Sequence, residues 1–336
     1  MNRQALVCRN ILEKPDITQR EMAKNMDISL GTVNGLVKEC LAEGYIAEEE
    51  NGKEKYLILL EKGKELLKPY KVDGALIIAA GFGSRFVPLT FETPKGLLEV
   101  FGERMIERQI KQLHEVGIHD ITIAVGYLKE KFEYLIDKYD VKLLYNPEYS
   151  CKNTLATVYR ARKFLKGRNV YILSSDNWMR ENMYHSYECG AWYSAAHEEG
   201  ETKEWCLTFN KKGRISDVNV GGKDAWFMYG PVYLSREFSA KFLPVLEAYY
   251  QIPGTEQFYW ENVLIEHLDT LEMDINRQPE HQIYEFENLE ELRQFDPRYQ
   301  NHSDNTALEL VSQVFEVPES EIHDIRCLKS GMTNKS

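Results

Sequence analysis

Short apolar runs alternate with segments of helical periodicity between residues 72 and 173, and this alternation limits the fold more than any other feature of the sequence. Short continuous apolar runs are typical of strands that are buried on both faces of a parallel sheet. The predicted strands are residues 75–79, 121–125, 141–144 and 170–173, and the predicted helices are 105–116, 129–138 and 154–164. Strands and helices in this order indicate a doubly wound α/β sheet.

After Asn177 the pattern becomes that of antiparallel strands, which are predicted at residues 204–209, 215–220 and 226–234. Helices are predicted near 237–250 and 258–268, and a last strand and helix end near Pro297. The fold class is therefore α/β, with a doubly wound mixed sheet in a domain that spans residues 72–300.

Residues 1–70 have a different organisation, three short helices followed by a hairpin. Thr18 and Glu21 form the sequence of a capping box, and Ser29 is placed to cap the next helix, which Gly44 ends. Asn51-Gly52 is a strong signal for a hairpin turn. This segment resembles a winged helix-turn-helix of the kind found in bacterial regulators.

The third of the three predicted helices, which Ser29 caps, does not decide whether this module binds DNA. Ser29, Thr32 and Asn34 of the candidate recognition helix could reach base edges, but Lys38 is nearly alone as a phosphate contact. Residues 1–70 contain 11 Lys and Arg against 12 Asp and Glu, and the whole chain has a net charge of −12. This balance argues against broad nucleic-acid binding, so a module kept for dimerisation or regulation is the equal alternative.

A glycine-rich loop, Gly81-Phe82-Gly83-Ser84-Arg85, follows the first predicted strand directly. Ligands of open α/β sheets bind at this edge, and glycines allow backbone N–H groups to approach phosphates. The loop is not a Walker A motif because no Gly-Lys-Ser/Thr follows it, and Phe86 stands where a dinucleotide fingerprint needs its third glycine. With Thr93-Pro94-Lys95 downstream, it predicts a triphosphate site.

The stretch from Gly81 to Lys95 resembles the signature of nucleotidyltransferases that join a nucleoside triphosphate to a phosphorylated small molecule. Further segments resemble the bacterial CTP:phosphocholine cytidylyltransferases, namely 125–129, 145–149, Asp176-Asn177, Glu204-Trp205 and Tyr259-Trp260-Glu261-Asn262. The resemblance implies a CTP site in which Arg85 and Lys95 are catalytic. It implies nucleotide contacts from Gly81, Phe82, Gly83, Ser84, Asn146, Asn153 and Thr157.

A magnesium site is predicted from the same resemblance. Asp176 ends the predicted strand 170–173, and a carboxylate there can hold Mg²⁺ against a triphosphate. Relatives often have a second acid two residues earlier, where this chain has Ser174. More of the metal binding is therefore expected from Asp176. Glu261 is predicted as the second ligand.

Aromatic side chains are numerous after Asp176, and aromatic faces with a nearby anion bind quaternary ammonium groups. The predicted choline-binding residues are Glu204, Trp205, Tyr259 and Trp260. The predicted reaction is the transfer of CMP from CTP to phosphocholine. The alternatives are a sugar-phosphate nucleotidyltransferase and a transcriptional regulator that senses CTP or choline.

Residues 303–336 contain Gly331-Met332-Thr333-Asn334 near their end, which resembles the opening of choline kinase-type phosphotransferases. The segment is interpreted as the truncated start of such a domain.

The six cysteines form no Cys-x-x-Cys pair, so reduced thiols are expected. No apolar run has the length of a membrane span, and the N-terminus lacks the pattern of a signal peptide. A cytoplasmic location is expected.

Overall fold

The computed structural model describes residues 2–51, 54–300 and 302–325. The N-terminal module consists of three helices, a hairpin and a fourth helix. Their bounds are α1 (Arg3–Glu13), α2 (Gln19–Asn25), α3 (Leu30–Ala42), β1 (Ile46–Asn51), β2 (Glu54–Leu59) and α4 (Glu61–Leu67). Strands β1 and β2 pair antiparallel, with Ile46 opposite Leu59. The predicted winged-helix arrangement is confirmed; Gly52 of the predicted turn lies outside the described residues.

The helix ends of this module are those that the sequence predicts. The Thr18 side chain accepts a hydrogen bond from the Glu21 N–H at 3.2 Å, and the Glu21 carboxylate accepts from the Thr18 N–H at 2.8 Å. The Ser29 hydroxyl accepts from the Thr32 N–H at the start of α3. In α1, Ile11 is buried in the core of the module, whereas its neighbour Leu12 is 40% exposed.

The second unit is built on a seven-stranded mixed sheet in the order β12-β10-β11-β8-β3-β6-β7. Its strands are β3 (Gly74–Ala79), β6 (Ile121–Val125), β7 (Lys142–Tyr145), β8 (Val170–Ser174), β10 (Trp192–Phe209), β11 (Ile215–Leu234) and β12 (Asp274–Arg277). Shorter strands are β4 (Glu99–Val100), β5 (Glu103–Arg104), β9 (Asn177–Met179) and β13 (Ile283–Glu285). The helices are α5 (Met105–Glu115), α6 (Tyr134–Tyr139), α7 (Thr154–Leu165), α8 (Arg236–Tyr250), α9 (Trp260–Ile265), α10 (Leu289–Phe295) and α11 (Thr306–Phe315).

Strand β3 lies at the centre of the parallel part, between β8 and β6. Its side chains alternate between two cores: Leu76 packs with α7, α8 and α9 on one face, and Ala75 and Ile77 pack with α5 and α6 on the other. Burial on both faces explains why the strand is continuously apolar. The predicted doubly wound mixed sheet is confirmed.

The antiparallel part differs from the prediction. Two long strands, β10 of 18 residues and β11 of 20, replace the three strands predicted at 204–209, 215–220 and 226–234. Residues 198–202 pair with 222–225 in a ribbon that is mostly exposed. A ribbon that is solvated on both faces needs no apolar alternation, so its polar sequence resembles a loop.

The N-terminal module packs at the edge of the sheet where the parallel strands begin. Arg9 of α1 forms a buried ion pair of 2.7 Å with Glu188, whose other oxygen accepts a hydrogen bond from the Tyr171 hydroxyl. Cys189 joins the apolar core of the module. The opposite edge, where the parallel strands end, is left open for a ligand.

The C-terminal helices α10 and α11 pack beside the glycine-rich loop. Asn305, which caps α11, donates a hydrogen bond to the carbonyl of Pro88 at 3.2 Å, and Leu308 packs with Phe86 and Leu89. The residues from Gly331 to Asn334, on which the resemblance to a kinase rests, lie outside the described residues. Among the helices of the described segments, none combines the length and the apolar character that a membrane span requires.

Candidate functional site

The glycine-rich loop leaves β3 at Ala79 and turns sharply at Gly83. The φ of Gly83 is +68°, and a Cβ there would lie 3.0 Å from Thr90 Cγ2 and 3.3 Å from Lys95 Cβ. The Thr90 hydroxyl donates to the Gly83 carbonyl at 2.9 Å, which fixes the turn. Only glycine accommodates both the left-handed conformation and the close approach.

The outer side of the loop can receive an anion. In the described part of the chain, the backbone N–H groups of Gly81 and Phe82 donate to no protein group. The Phe82 ring packs edge-on against Tyr127 at 4.5 Å between centroids, and Ser84 is exposed. Arg85 forms an ion pair with Glu287, with 64% of its side chain exposed, so it is free to turn toward a bound phosphate.

Lys95 lies between two carboxylates at the floor of the site. Its Nζ is 2.6 Å from Oδ2 of Asp176 and 3.9 Å from Oε1 of Glu285. The backbone can bring these groups together because Gly96 has no side chain; a Cβ there would lie 2.6 Å from Ser175. The predicted Lys95 and Asp176 therefore meet at the carboxyl end of β8.

Glu285 is the site residue that sequence reasoning missed. Strand β13 pairs antiparallel with β9, with Glu285 directly opposite Asn177, whose amide donates to Glu285 Oε2 at 3.1 Å. Burial, reinforced by the negative charge of Asp176, raises the pKa of Glu285 to about 7. The only sequence signal is one acidic residue in a short strand more than a hundred positions away, and it carries no motif.

Asp176 and Glu285 fit a magnesium ion by their chemistry, since Mg²⁺ prefers one or two carboxylates together with phosphate oxygens. The negative charge of Asp176 adds to burial in raising the pKa of Glu285, and a bound cation would offset both effects. Across the described residues no three or more His, Cys, Asp and Glu side chains are grouped so that they could hold a metal ion, so waters and substrate oxygens would complete the coordination.

Glu261 does not join this pair, although the sequence predicts it as the second metal ligand. Its carboxylate oxygen Oε1 accepts a hydrogen bond from the Tyr193 hydroxyl at 3.1 Å, and it forms no ion pair with Lys95. It lies at the start of α9, whereas β13 brings Glu285 beside Asp176. The structure therefore favours Glu285 for the second position.

A cleft of about 250 Å³ opens between the glycine-rich loop and the N-terminus of α7. Gly81, Asn153 and Thr157 line it, together with Tyr149 and Gln257. Asn146, predicted near the base and ribose, is 0% exposed and donates to the Thr157 hydroxyl at 3.0 Å. It therefore positions Thr157 from behind and has no surface for direct contact with a nucleotide.

The predicted choline-binding residues divide into exposed and buried members. Trp205 and Tyr259 meet edge to face, with 5.6 Å between ring centroids, and Tyr259 is 47% exposed. Glu204 is exposed beside Trp205. Trp260 is only 2% exposed and packs in the core against Phe242, so the structure leaves no open face of this ring for the predicted contact with choline.

Comparison with known families supports both units of the chain. Residues 74–197 match the model of the family described as nucleotidyl transferase. Residues 9–47 match that of winged helix-turn-helix DNA-binding domains.

Individual proteins match over the sheet domain. A choline-phosphate cytidylyltransferase of Streptococcus pneumoniae is 31% identical over 68% of this chain and 99% of its own length, and a solved structure of that enzyme type superposes with a TM-score of 0.65. A 2-aminoethylphosphonate cytidylyltransferase of Lancefieldella rimae is 34% identical over 67% of this chain and 92% of its own. The inositol-1-phosphate CTP transferase of T. maritima, at 13% identity and a TM-score of 0.52 over 66% of this chain and 91% of that one, shares the fold.

Proposed function

We propose, from the premise that this chain belongs to the nucleotidyltransferase family, that it transfers CMP from CTP to phosphocholine and releases CDP-choline and pyrophosphate. The observation that carries the proposal is the position of Lys95, 2.6 Å from Asp176 beside a glycine-rich loop with free N–H groups. Two cytidylyltransferases, one named for choline phosphate and one for 2-aminoethylphosphonate, are similar to this chain over 99% and 92% of their own length.

The reaction needs no side-chain nucleophile. A phosphate oxygen of phosphocholine attacks the α-phosphorus of CTP, the bond from that phosphorus to the bridging oxygen breaks, and pyrophosphate leaves with the electron pair. The phosphate of the acceptor is already ionised near neutral pH, so the protein contributes positioning and charge stabilisation. Lys95 would stabilise charge on the α-phosphate, while Arg85 and the loop amides would hold the departing pyrophosphate.

Asp176 and Glu285 are the groups that would hold Mg²⁺, which when bound offsets the negative charge of the triphosphate. In the free protein Lys95 offsets part of the charge of this pair. When CTP binds, Lys95 would stay beside the two carboxylates and place its ammonium group at the α-phosphate.

The ammonium group of the acceptor would lie against Trp205 and Tyr259, whose rings meet at right angles and of which Tyr259 is 47% exposed. Aromatic faces attract a desolvated quaternary ammonium group, which makes no hydrogen bonds. A sugar acceptor would instead need hydrogen bonds to its hydroxyl groups, which the faces of aromatic rings do not provide. Phosphocholine is therefore the better acceptor for this pair of rings.

A panel of nucleotides and acceptors tests the proposed function. Pyrophosphate release should be fastest with CTP and phosphocholine, and the rate should fall as N-methyl groups are removed toward phosphoethanolamine. We expect about 2 kcal/mol of discrimination in kcat/KM, since each lost methyl reduces contact with the rings and increases hydration of the amine. Glucose 1-phosphate and 2-aminoethylphosphonate complete the panel. A preference for either of these two over phosphocholine would overturn the proposal.

The N-terminal module is proposed to bind random DNA only weakly. The exposed face of α3 presents Asn34, Gly35 and Lys38, so it offers a single cation to the phosphate backbone. We expect the full chain to bind random duplex DNA no more tightly than about 10⁻⁴ M at physiological salt, because few counterions would be released. An anisotropy titration at two salt concentrations measures this. Micromolar affinity with a steep salt dependence would favour the regulator instead.

A further inference from the structure

A cleft of about 250 Å³ also lies between the N-terminal module and the sheet domain. The module contributes α1 and the turn after α2, and the sheet domain contributes the turn between β10 and β11 and strand β12. Strand β12 is parallel to β10, and β10 is parallel to β8 because both pair antiparallel with β11. Since Trp192 begins β10 and Asp274 begins β12, the cleft lies toward the edge where the parallel strands begin, opposite to the glycine-rich loop.

This interdomain cleft has more positive than negative side chains, although the whole chain has a net charge of −12. Its three acidic residues are each paired with an arginine: Glu188 with Arg9, Asp27 with Arg277, and Asp274 with Arg214. Four further cations line it and form no ion pair with the described residues, namely Arg3, Lys24, Lys211 and Lys212. The first two belong to the N-terminal module and the last two to the sheet domain. Like charges from both units thus face one recess, where a bound anion would offset their repulsion.

Arg9 is the buried cation of the interdomain cleft, with 6% of the residue exposed. Its Nη1 donates to Glu188 Oε2 at 2.7 Å and to the Tyr187 carbonyl at 3.3 Å. Nε is enclosed, and neither Nε nor Nη2 donates to an acceptor in the described part of the chain. These two N–H groups form the fork with which a guanidinium binds two oxygens of a phosphate or carboxylate. Because buried polar groups are normally hydrogen-bonded, the open fork points to an acceptor that a ligand supplies.

Apolar side chains complete the lining. Leu6 and Met26 of the module and Trp192 of the sheet domain lie beside the cations. The volume is many times what a single water needs, so an organic group fits together with an anion. Apolar surface with a few convergent polar groups is typical of sites for small molecules. The cations surround a recess and do not follow the exposed face of a helix, which favours a small molecule over a DNA duplex.

We propose that the interdomain cleft is a second binding site, for a small organic phosphate, separate from the catalytic site. Arg9 and the cations around it hold the phosphate, and Leu6, Met26 and Trp192 contact the organic group. One ligand then touches both units, so its binding stabilises the packing of the N-terminal module on the sheet domain. The site does not depend on which reaction occurs at the glycine-rich loop.

Isothermal titration calorimetry of the full chain tests the site with glycerol 3-phosphate, glucose 6-phosphate and inorganic phosphate. We expect at least one of the two esters to bind with a Kd on the order of 1 mM or lower, and more tightly than inorganic phosphate. The double variant Lys24→Gln with Lys212→Gln removes one cation from each unit and should weaken that binding by about tenfold. Arg9→Lys keeps a cation beside Glu188 but lacks the fork, and it should weaken binding at least as much.

Matched variants locate the binding, and a thermal unfolding curve without probe confirms that each variant is folded. Lys163→Gln with Lys166→Gln makes the same charge change on exposed lysines at the end of α7, outside the cleft, and should leave the Kd unchanged. Lys95→Ala alters the catalytic site and should also leave it unchanged. A Kd that rises in Lys95→Ala but not in the Lys24 and Lys212 double variant places the probe at the catalytic site and overturns the inference.

Three further outcomes would also contradict it. If neither ester binds the wild type at about 10 mM, the cleft is not a site for organic phosphates. If inorganic phosphate binds as tightly as both esters, the cleft selects the free ion and the organic group has no role. If the Lys24 and Lys212 double variant loses affinity for duplex DNA and keeps its affinity for the esters, these cations serve a nucleic acid instead.

Discussion

Replacing Lys95 by alanine should lower kcat/KM for nucleotidyl transfer by about 10²–10³-fold, equivalent to roughly 3–4 kcal/mol of transition-state stabilisation. The ammonium group is held by Asp176 and Glu285, and 12% of its side chain is exposed, so it is positioned before the substrate arrives. A preorganised cation of this kind gains most from charge that develops on the α-phosphate. The loss should therefore appear mainly in kcat.

Steady-state kinetics with CTP and phosphocholine, together with a thermal unfolding curve, measures the effect of Lys95→Ala. Lys163 is a matched control, since it is an exposed lysine on α7 that forms no ion pair in the described segments. Lys163→Ala should behave as the wild type in both measurements. Turnover of Lys95→Ala within about threefold of the wild type would show that this lysine serves the structure of the loop and not the reaction.

The glycine-rich loop could be predicted because its determinants are local. Gly83 adopts a left-handed conformation, and Gly96 lies close to Ser175. Each of these requirements falls on one residue, so the glycine that satisfies it can be read directly from the sequence. The buried strands could be predicted for the same reason, since a strand covered on both faces must be apolar along its length. Lys95 and Asp176 are indicated by the family resemblance of the loop and of the residues that follow β8, which is also a resemblance at single positions.

The second carboxylate could not be predicted, because its position depends on tertiary pairing. Glu285 reaches Asp176 only through the antiparallel pairing of β13 with β9, and nothing in the local sequence of either strand specifies that partner. Burial of the side chain accounts for two further differences between the predicted and the observed site. Trp260 and Asn146 lie in segments that resemble site motifs, yet the packing of α9 and α7 encloses both side chains. A motif identifies a segment, but the direction of each side chain depends on what packs against it.

The pair formed by Asp176 and Glu285 leads to the second large effect. Asp176→Asn keeps the shape of the side chain and removes its charge, so we expect activity to fall by more than about 100-fold and not to recover when Mg²⁺ is raised modestly. Glu285→Gln should also lower activity and raise the Mg²⁺ concentration that gives half-maximal rate. Its remaining carbonyl oxygen can still accept the hydrogen bond from Asn177, so the pairing of β13 with β9 should survive.

Magnesium titrations of the three acidic variants separate the two possible metal ligands. Glu261→Gln should show the Mg²⁺ dependence of the wild type, because that side chain bonds to Tyr193 and forms no contact with Lys95. If Glu261→Gln raises the Mg²⁺ requirement while Glu285→Gln leaves it unchanged, the pairing predicted from the sequence is right and the one favoured by the structure is wrong. A ligand of the metal contributes directly to its affinity, so losing it raises the Mg²⁺ concentration that gives half-maximal rate. The titrations therefore decide between Glu285 and Glu261 as the second metal ligand.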